Sequence, residues 1–205
     1  MSGVIHSHQI VLASASRARR EMLAAAGVAF TVEPADVDEP SIRRELAKTG
    51  DAGPLQVALI LARAKAEDVS AKHGGSLIIG ADQVLALGPE ILSKPADASA
   101  ARASLLQLRG RTHELHSAVA LAESGAVTWS HAATARLTMR EFSDAFLDEY
   151  LRRAGDRIGQ SVGAYELEGL GVQLFDRIEG DYFTILGLPL LSLLGELRER
   201  GRISQ

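Results

Sequence analysis

Two serines and three arginines stand together in Ser14-Ala-Ser-Arg-Ala-Arg-Arg20, directly after the apolar run Gln9-Ile-Val-Leu-Ala13. The pattern predicts a strand, a small-residue loop and a helix opening near Arg17. A helix N-terminus offers unpaired N–H donors and positive potential, and arginine adds permanently charged, forked donors, so this segment suits a polyphosphate. Taken alone, the string is more simply a serine cap followed by a solvated basic face.

Further candidates lie along the chain. Asp82 follows the apolar run Ser76-Leu-Ile-Ile-Gly80, which is expected to end there and deliver a carboxylate to the carboxyl edge of a sheet, where α/β ligands bind. A turn or cap aspartate is the competing reading. Lys65 borders the apolar stripe of a long helix and either snorkels to water or reaches a cleft. Lys94 is held extended by Pro95, as a cleft residue or a solvated loop residue. Asp36, Asp38 and Glu39 form an acidic loop that either faces solvent or holds Mg²⁺ or Mn²⁺ through oxygen ligands. The six histidines show no metal spacing; His113 and His116 are read as structural.

The elements expected to position these groups alternate early and pair late. Helices are predicted over residues 17–26, 54–72 and 98–108, and strands over 9–13, 28–32 and 76–80. An irregular hairpin is expected over 84–92, and a long one over 112–122 and 126–139. A helix is expected from Ser143, a strand over 181–186, and a last helix opened by Pro189. Residues 50–53 read as a charged, glycine-containing connection. The pattern predicts an α/β fold with a mixed twisted sheet flanked by helices, in one domain spanning residues 1–205 with two lobes.

Composition limits the functions. The 205 residues carry a net charge of −4, which argues against nucleic-acid binding. There is no cysteine, so thiolate metal sites and a cysteine nucleophile are excluded. Met1-Ser-Gly-Val-Ile-His-Ser-His lacks the features of a signal peptide, and no apolar run is long enough to span a membrane, so a cytoplasmic protein without membrane contact is expected. No G-x-x-x-x-G-K-[ST], dinucleotide fingerprint or G-x-S-x-G elbow is present.

Taken in order, the chain contains Leu12-Ala-Ser-Ala-Ser16 with Arg19-Arg20, Asp38-Glu39 and Leu61-Ala-Arg-Ala-Lys-Ala66. Gly80-Ala-Asp82, Ser93-Lys-Pro95, Gly110-Arg-Thr-His113 and Gly180-Asp-Tyr-Phe-Thr-Ile-Leu-Gly-Leu-Pro189 follow. Together they resemble the Maf family of nucleoside triphosphate pyrophosphatases. The resemblance implies cleavage between the α- and β-phosphates, a divalent cation, and an elongated two-lobed fold similar to inosine-triphosphate pyrophosphatases. It also implies a homodimer. Carried over by motif, Asp82, Glu39 and Lys65 are the expected catalytic residues, with Glu39 and Asp82 also the metal ligands. Ser14, Arg19, Arg20, Lys94, Gln83 and Glu168 are the expected substrate contacts. Arg17 and Ala18 depart from the family's usual Pro-Arg and inherit no role. Gln83 and Glu168 resemble the branch acting on 7-methyl-GTP. A non-catalytic nucleotide-binding regulator of cell division and a nucleotidyltransferase are the alternative readings.

Overall fold

The computed structural model describes residues 9–50 and 52–204. Met1 to His8, expected to lack a signal peptide, lie outside the described residues, as does Asp51 of the 50–53 connection.

The described residues open with β1 (Ile10–Ala13) and α1 (Arg17–Ala25), then a two-residue β2 (Thr31–Val32). Two helices follow, α2 (Glu39–Thr49) and α3 (Pro54–Ser70). Next come the long strand β3 (Leu77–Leu87), the short β4 (Glu90–Leu92) and α4 (Ala98–Leu108). The hairpin β5 (Thr112–Glu123) and β6 (Ala126–Met139) leads to α5 (Asp144–Ala154). After two 3-10 turns the chain ends in β7 (Phe175–Glu179), the short α6 (Tyr182–Ile185) and α7 (Leu190–Glu199).

Among the described residues the strands form a seven-stranded mixed sheet in the order β2-β1-β3-β5-β6-β7, with β4 also paired to β3. β1 runs parallel to β2 and β3, whereas β4, β5, β6 and β7 enter antiparallel pairs. The fold is therefore mixed α/β, as the interleaved helices and late hairpin predict.

Strand alternation sorts the core. Leu77, Ile79 and Ala81 pack with Leu12, Leu23, Leu193 and Leu197, under α1 and α7. On the opposite face, Ala118, Ala120 and Ala122 of β5 pack against Val57, Leu61, Ala62 and Ala66 of α3. Small residues on the strand let the helix settle close to the sheet. A Cβ on Gly80 would stand 2.3 Å from the Ala62 carbonyl oxygen and 2.6 Å from the Ala66 nitrogen. At the other end of the long strands a separate cluster joins Leu85, Leu105, Leu108, Leu115, Leu137 and Leu147. Each fully buried leucine contributes about 1.5–3 kcal/mol relative to exposure.

Several expectations change. β3 does not stop before Asp82; it runs through it, so Asp82 is a mid-strand residue rather than a strand-end one. Its position is still special. β1 pairs with β3 only as far as Gly80, and β4 takes up the same edge at Leu85, which leaves residues 81–84 without a strand on that side. The 28–32 strand shrinks to two residues. Residues 181–186 are not a strand: Asp181 accepts the N–H groups of Phe183 and Thr184 and caps α6, while the strand lies earlier, at β7. The acidic loop ends at Asp38, whose carboxylate accepts the Ser41 N–H at 3.0 Å and starts α2, an element the sequence reading lacked.

Candidate functional site

The open edge of β3 is the floor of a cavity of about 1330 Å³. The small-residue loop and first turn of α1 form one wall, since Ser14, Ser16 and Arg19 all line it. Ser14 lies where β1 ends, and its Oγ accepts the Ser16 N–H at 3.3 Å and Arg19 Nη1–H at 3.1 Å. Arg19 is buried at 8 % exposure and also donates to the carbonyls of Ala81 (2.9 Å) and Gly187 (2.8 Å). Its guanidinium thus joins α1 to the unpaired edge of β3 without a carboxylate directly against it. Burial lowers its pKa, and the charges of Asp82 and Glu39 oppose that shift.

Asp82 alternates onto the α3 face of the sheet, where Lys65 waits. Lys65 Nζ donates to Asp82 Oδ1 at 2.7 Å and lies 2.7 Å from Glu39 Oε1, so one ammonium bridges two carboxylates. Glu39 reaches this point from the first turn of α2. One turn later on the same helix, Arg43 Nη2 stands 3.4 Å from Asp82 Oδ2 and 3.8 Å from Glu39 Oε2. The two acids differ in environment. Burial raises the Asp82 pKa above the usual carboxylate range, against Lys65 and Arg19. For Glu39 burial pulls upward too, but the Lys65 hydrogen bond and charge, with Arg43, hold it below that range. A site with one proton-seeking and one firmly ionised carboxylate can divide base and charge-holding roles between them.

Away from the cations the lining changes character. Leu92, Leu115, Val162, Tyr165 and Leu167 form an apolar end, with Glu166 and Glu168 also lining the cavity. Behind it, Tyr165 shares a 2.6 Å hydrogen bond with Nε2 of the fully buried His113, and Ser161 Oγ accepts the Tyr165 N–H and donates to its carbonyl. Burial lowers the His113 pKa to about 4.

The family description Maf-like protein matches residues 9–200. The chain belongs to this family. Among similar proteins is the 7-methyl-GTP pyrophosphatase of Rhizobium etli, 51 % identical over 95 % of this chain and 98 % of that one. The nucleoside triphosphate pyrophosphatase of Paramagnetospirillum magneticum is 53 % identical over 94 % of this chain and 99 % of that protein. That of Bradyrhizobium diazoefficiens is 51 % identical, covering 95 % of each.

In this Maf-like chain the cavity gathers Ser14, Arg19, Glu39, Lys65, Asp82, Gln83, Lys94 and Glu168. Arg20 is not among them: it is an exposed residue of α1 outside the cavity lining. Gln83 is tied inward, its amide nitrogen near Ser117 Oγ (3.0 Å), the Thr184 carbonyl (3.2 Å) and the Ile185 carbonyl (2.9 Å). Lys94 and Glu168 are exposed residues of the lining. Of the acidic trio only Glu39 faces the cavity; Asp38 is spent on the helix cap.

Sequence reasoning missed Arg43 and Arg44, which line the cavity from α2, and Arg17, which lines it while paired with Glu166 at 3.5 Å. Legible signals for α2 were Asp38 as cap, Pro40 in the first turn, Ile42 and Leu46 four apart, and Gly50 as terminator.

Proposed function

We propose that this chain hydrolyses a nucleoside triphosphate between the α- and β-phosphates, releasing a nucleoside monophosphate and pyrophosphate. The observation that carries the reading is the polarity of the cavity: Lys65 and Arg43 face the buried Asp82 carboxylate at one end, with Arg19 close enough to act on it through its charge, and an apolar lining forms the other. Its volume of about 1330 Å³ exceeds the roughly 300–1,000 Å³ of ordinary ligand pockets, leaving room for a nucleotide and its waters. The names of the R. etli and P. magneticum relatives support the same chemistry.

In this reading Arg19 and Lys65, with Lys94 at the rim, neutralise the triphosphate and the charge that grows on departing pyrophosphate, typically the largest catalytic contribution. Ser14 and the α1 N-terminus donate to phosphate oxygens. Asp82, whose proton affinity is raised, orients a water at the α-phosphorus and accepts its proton. The water oxygen bonds to that phosphorus as the bond to the bridging oxygen breaks, and the electron pair leaves with pyrophosphate.

Among the described residues no group of three or more metal-ligating side chains is gathered. Glu39 and Asp82 nonetheless fit a Mg²⁺ or Mn²⁺ ion, because they converge on one cation already and such ions are commonly held by one or two carboxylates plus substrate phosphates. When bound, the ion would neutralise phosphate charge and acidify a water.

The base sits against Leu92, Leu115 and Tyr165. Glu166 and Glu168 favour a guanine edge or a cationic methylated guanine over a pyrimidine, in line with the name of the R. etli relative. Gln83 holds α6 beside this end. We further take residues 1–205 as one functional domain that works as a homodimer in the cytoplasm on free nucleotides. No helix among the described residues is long and apolar enough to cross a membrane.

The test is a panel of nucleoside triphosphates, methylated ones included, incubated with Mg²⁺ or Mn²⁺ and either the parent or Asp82→Asn. Pyrophosphate release by the parent, with methylated guanine preferred, and retained binding without release by the variant are expected. Equal release by both would remove Asp82 from the chemistry. No release by the parent would favour a regulator that only binds nucleotides.

A further inference from the structure

Arg43 occupies an unusual position. It sits one helical turn after Glu39 on α2 and faces both candidate carboxylates, yet its distances of 3.4 and 3.8 Å are long for charge-assisted hydrogen bonds. Lys65, by contrast, lies 2.7 Å from each acid with a side chain only 14 % exposed. The Arg43 side chain is 32 % exposed. Of the two cations that face the acids it is the looser and the more exposed.

The helix that carries it is loosely held as well. α2 has no buried residue and rests on α3 through the partly buried Ile42 and Leu46. Elements with few buried apolar contacts lie at the low-stability end of a fold, where binding motions are drawn from. Arg44, the next residue, lines the same cavity and donates to Ser41 Oγ at 2.6 Å. One weakly packed helix therefore presents Glu39 and two arginines to the cavity.

We propose that Arg43 is a phosphate-binding residue that covers Glu39 and Asp82 while the cavity is free of nucleotide and transfers to the triphosphate when it binds, leaving the carboxylates to a divalent cation. This rests on the triphosphate reading above. Without substrate Lys65 and Arg43 face the two carboxylates; with it, the arginine exchanges them for phosphate oxygens as the divalent ion takes its place. A consequence separates this role from a static ion pair. Before nucleotide arrives Arg43 opposes metal binding, because its positive charge lies against the same oxygens, while for phosphate it is a donor. Its removal must push the two affinities in opposite directions.

The experiment uses the full chain with Arg43→Ala, Arg43→Lys and Arg43→Gln. Mn²⁺ alone is titrated into nucleotide-free protein, and inorganic pyrophosphate is titrated separately in the presence of a chelator, both by calorimetry. Arg43→Ala and Arg43→Gln are expected to weaken pyrophosphate binding about tenfold. They are expected to tighten Mn²⁺ about threefold. Arg43→Lys, which keeps the charge, stays near the parent for Mn²⁺ and falls between for pyrophosphate. Should Arg43→Ala not fold, Arg43→Gln carries the same comparison. Unchanged pyrophosphate affinity, or a shift of both ligands in one direction, overturns the proposal. The two readings fail separately. A parent that releases pyrophosphate from triphosphates beside variants that bind like it defeats the role of Arg43 alone. A parent that binds both probes but turns over no triphosphate defeats the enzymatic reading alone, and one that binds neither defeats both.

Discussion

Lys65 Nζ stands 2.7 Å from Asp82 Oδ1, and the contact exists because α3 lies almost directly on β3. Two residues before Asp82, on the same face of the strand, Gly80 supplies the space. A Cβ there would meet backbone atoms of Ala62 and Ala66, on either side of Lys65 in the helix, at 2.3 and 2.6 Å. Neither is the yielding end of a side chain. Gly80→Ala is expected to cost about 3 kcal/mol, the upper range for overpacking, and to lift Lys65 away from both acids. Urea unfolding would show the loss and steady-state kinetics a matching fall in kcat/KM. A variant with the parent's midpoint and rate would contradict the packing account.

Arg19 bonds Ser14, Ala81 and Gly187 through a fork that lysine cannot imitate. Gly187 has φ +97°, a left-handed conformation that favours glycine, and thereby aims its carbonyl at Arg19 Nε. Arg19→Lys keeps the charge but leaves buried acceptors unpaired. The expected result is about 2 kcal/mol of lost stability and a fall on the order of a hundredfold in kcat/KM. Equal stability of variant and parent would mean that the three contacts do not hold this corner.

His113 bears on stability rather than on phosphate chemistry. The unfolded chain takes up a proton on it near pH 6.5, whereas burial delays that uptake in the folded chain to about 4. The unfolded state therefore binds more protons between these values, and stability falls as pH drops through the window, by about 3 kcal/mol at most from this group. His116, also lowered by burial, adds in the same direction. In His113→Gln most of the His113 share of the slope should vanish from denaturant unfolding measured between pH 7 and 4. An unaltered slope would contradict the assignment.

How much of this was legible in the sequence depended on how strongly each element is patterned. The β5–β6 hairpin and α4 read clearly because their alternation and helical spacing extend over eleven residues or more. α2 escaped notice because Ile42 and Leu46 are nearly its whole apolar content and none of its residues is buried, so Arg43 and Arg44 were lost with it. β3 was expected to stop before Asp82 since aspartate is depleted in strands. The strand continues because Lys65, a long-range partner invisible to local pattern, answers the buried charge. The apolar run at Ile185-Leu186 looked like a strand, but the Asp181 cap turned it into a helix. Local pattern left Glu39, Lys65 and Asp82 each with a bland reading, and motif resemblance alone grouped them; in the fold the Lys65 ammonium lies 2.7 Å from both acids.

Attack of water at the α-phosphorus beside Asp82 can be followed by running the reaction in water enriched in heavy oxygen and locating the label by phosphorus NMR or mass spectrometry. The label is expected in the nucleoside monophosphate, with unlabelled pyrophosphate as the other product. Label in pyrophosphate, or formation of a nucleoside diphosphate and orthophosphate, would contradict it.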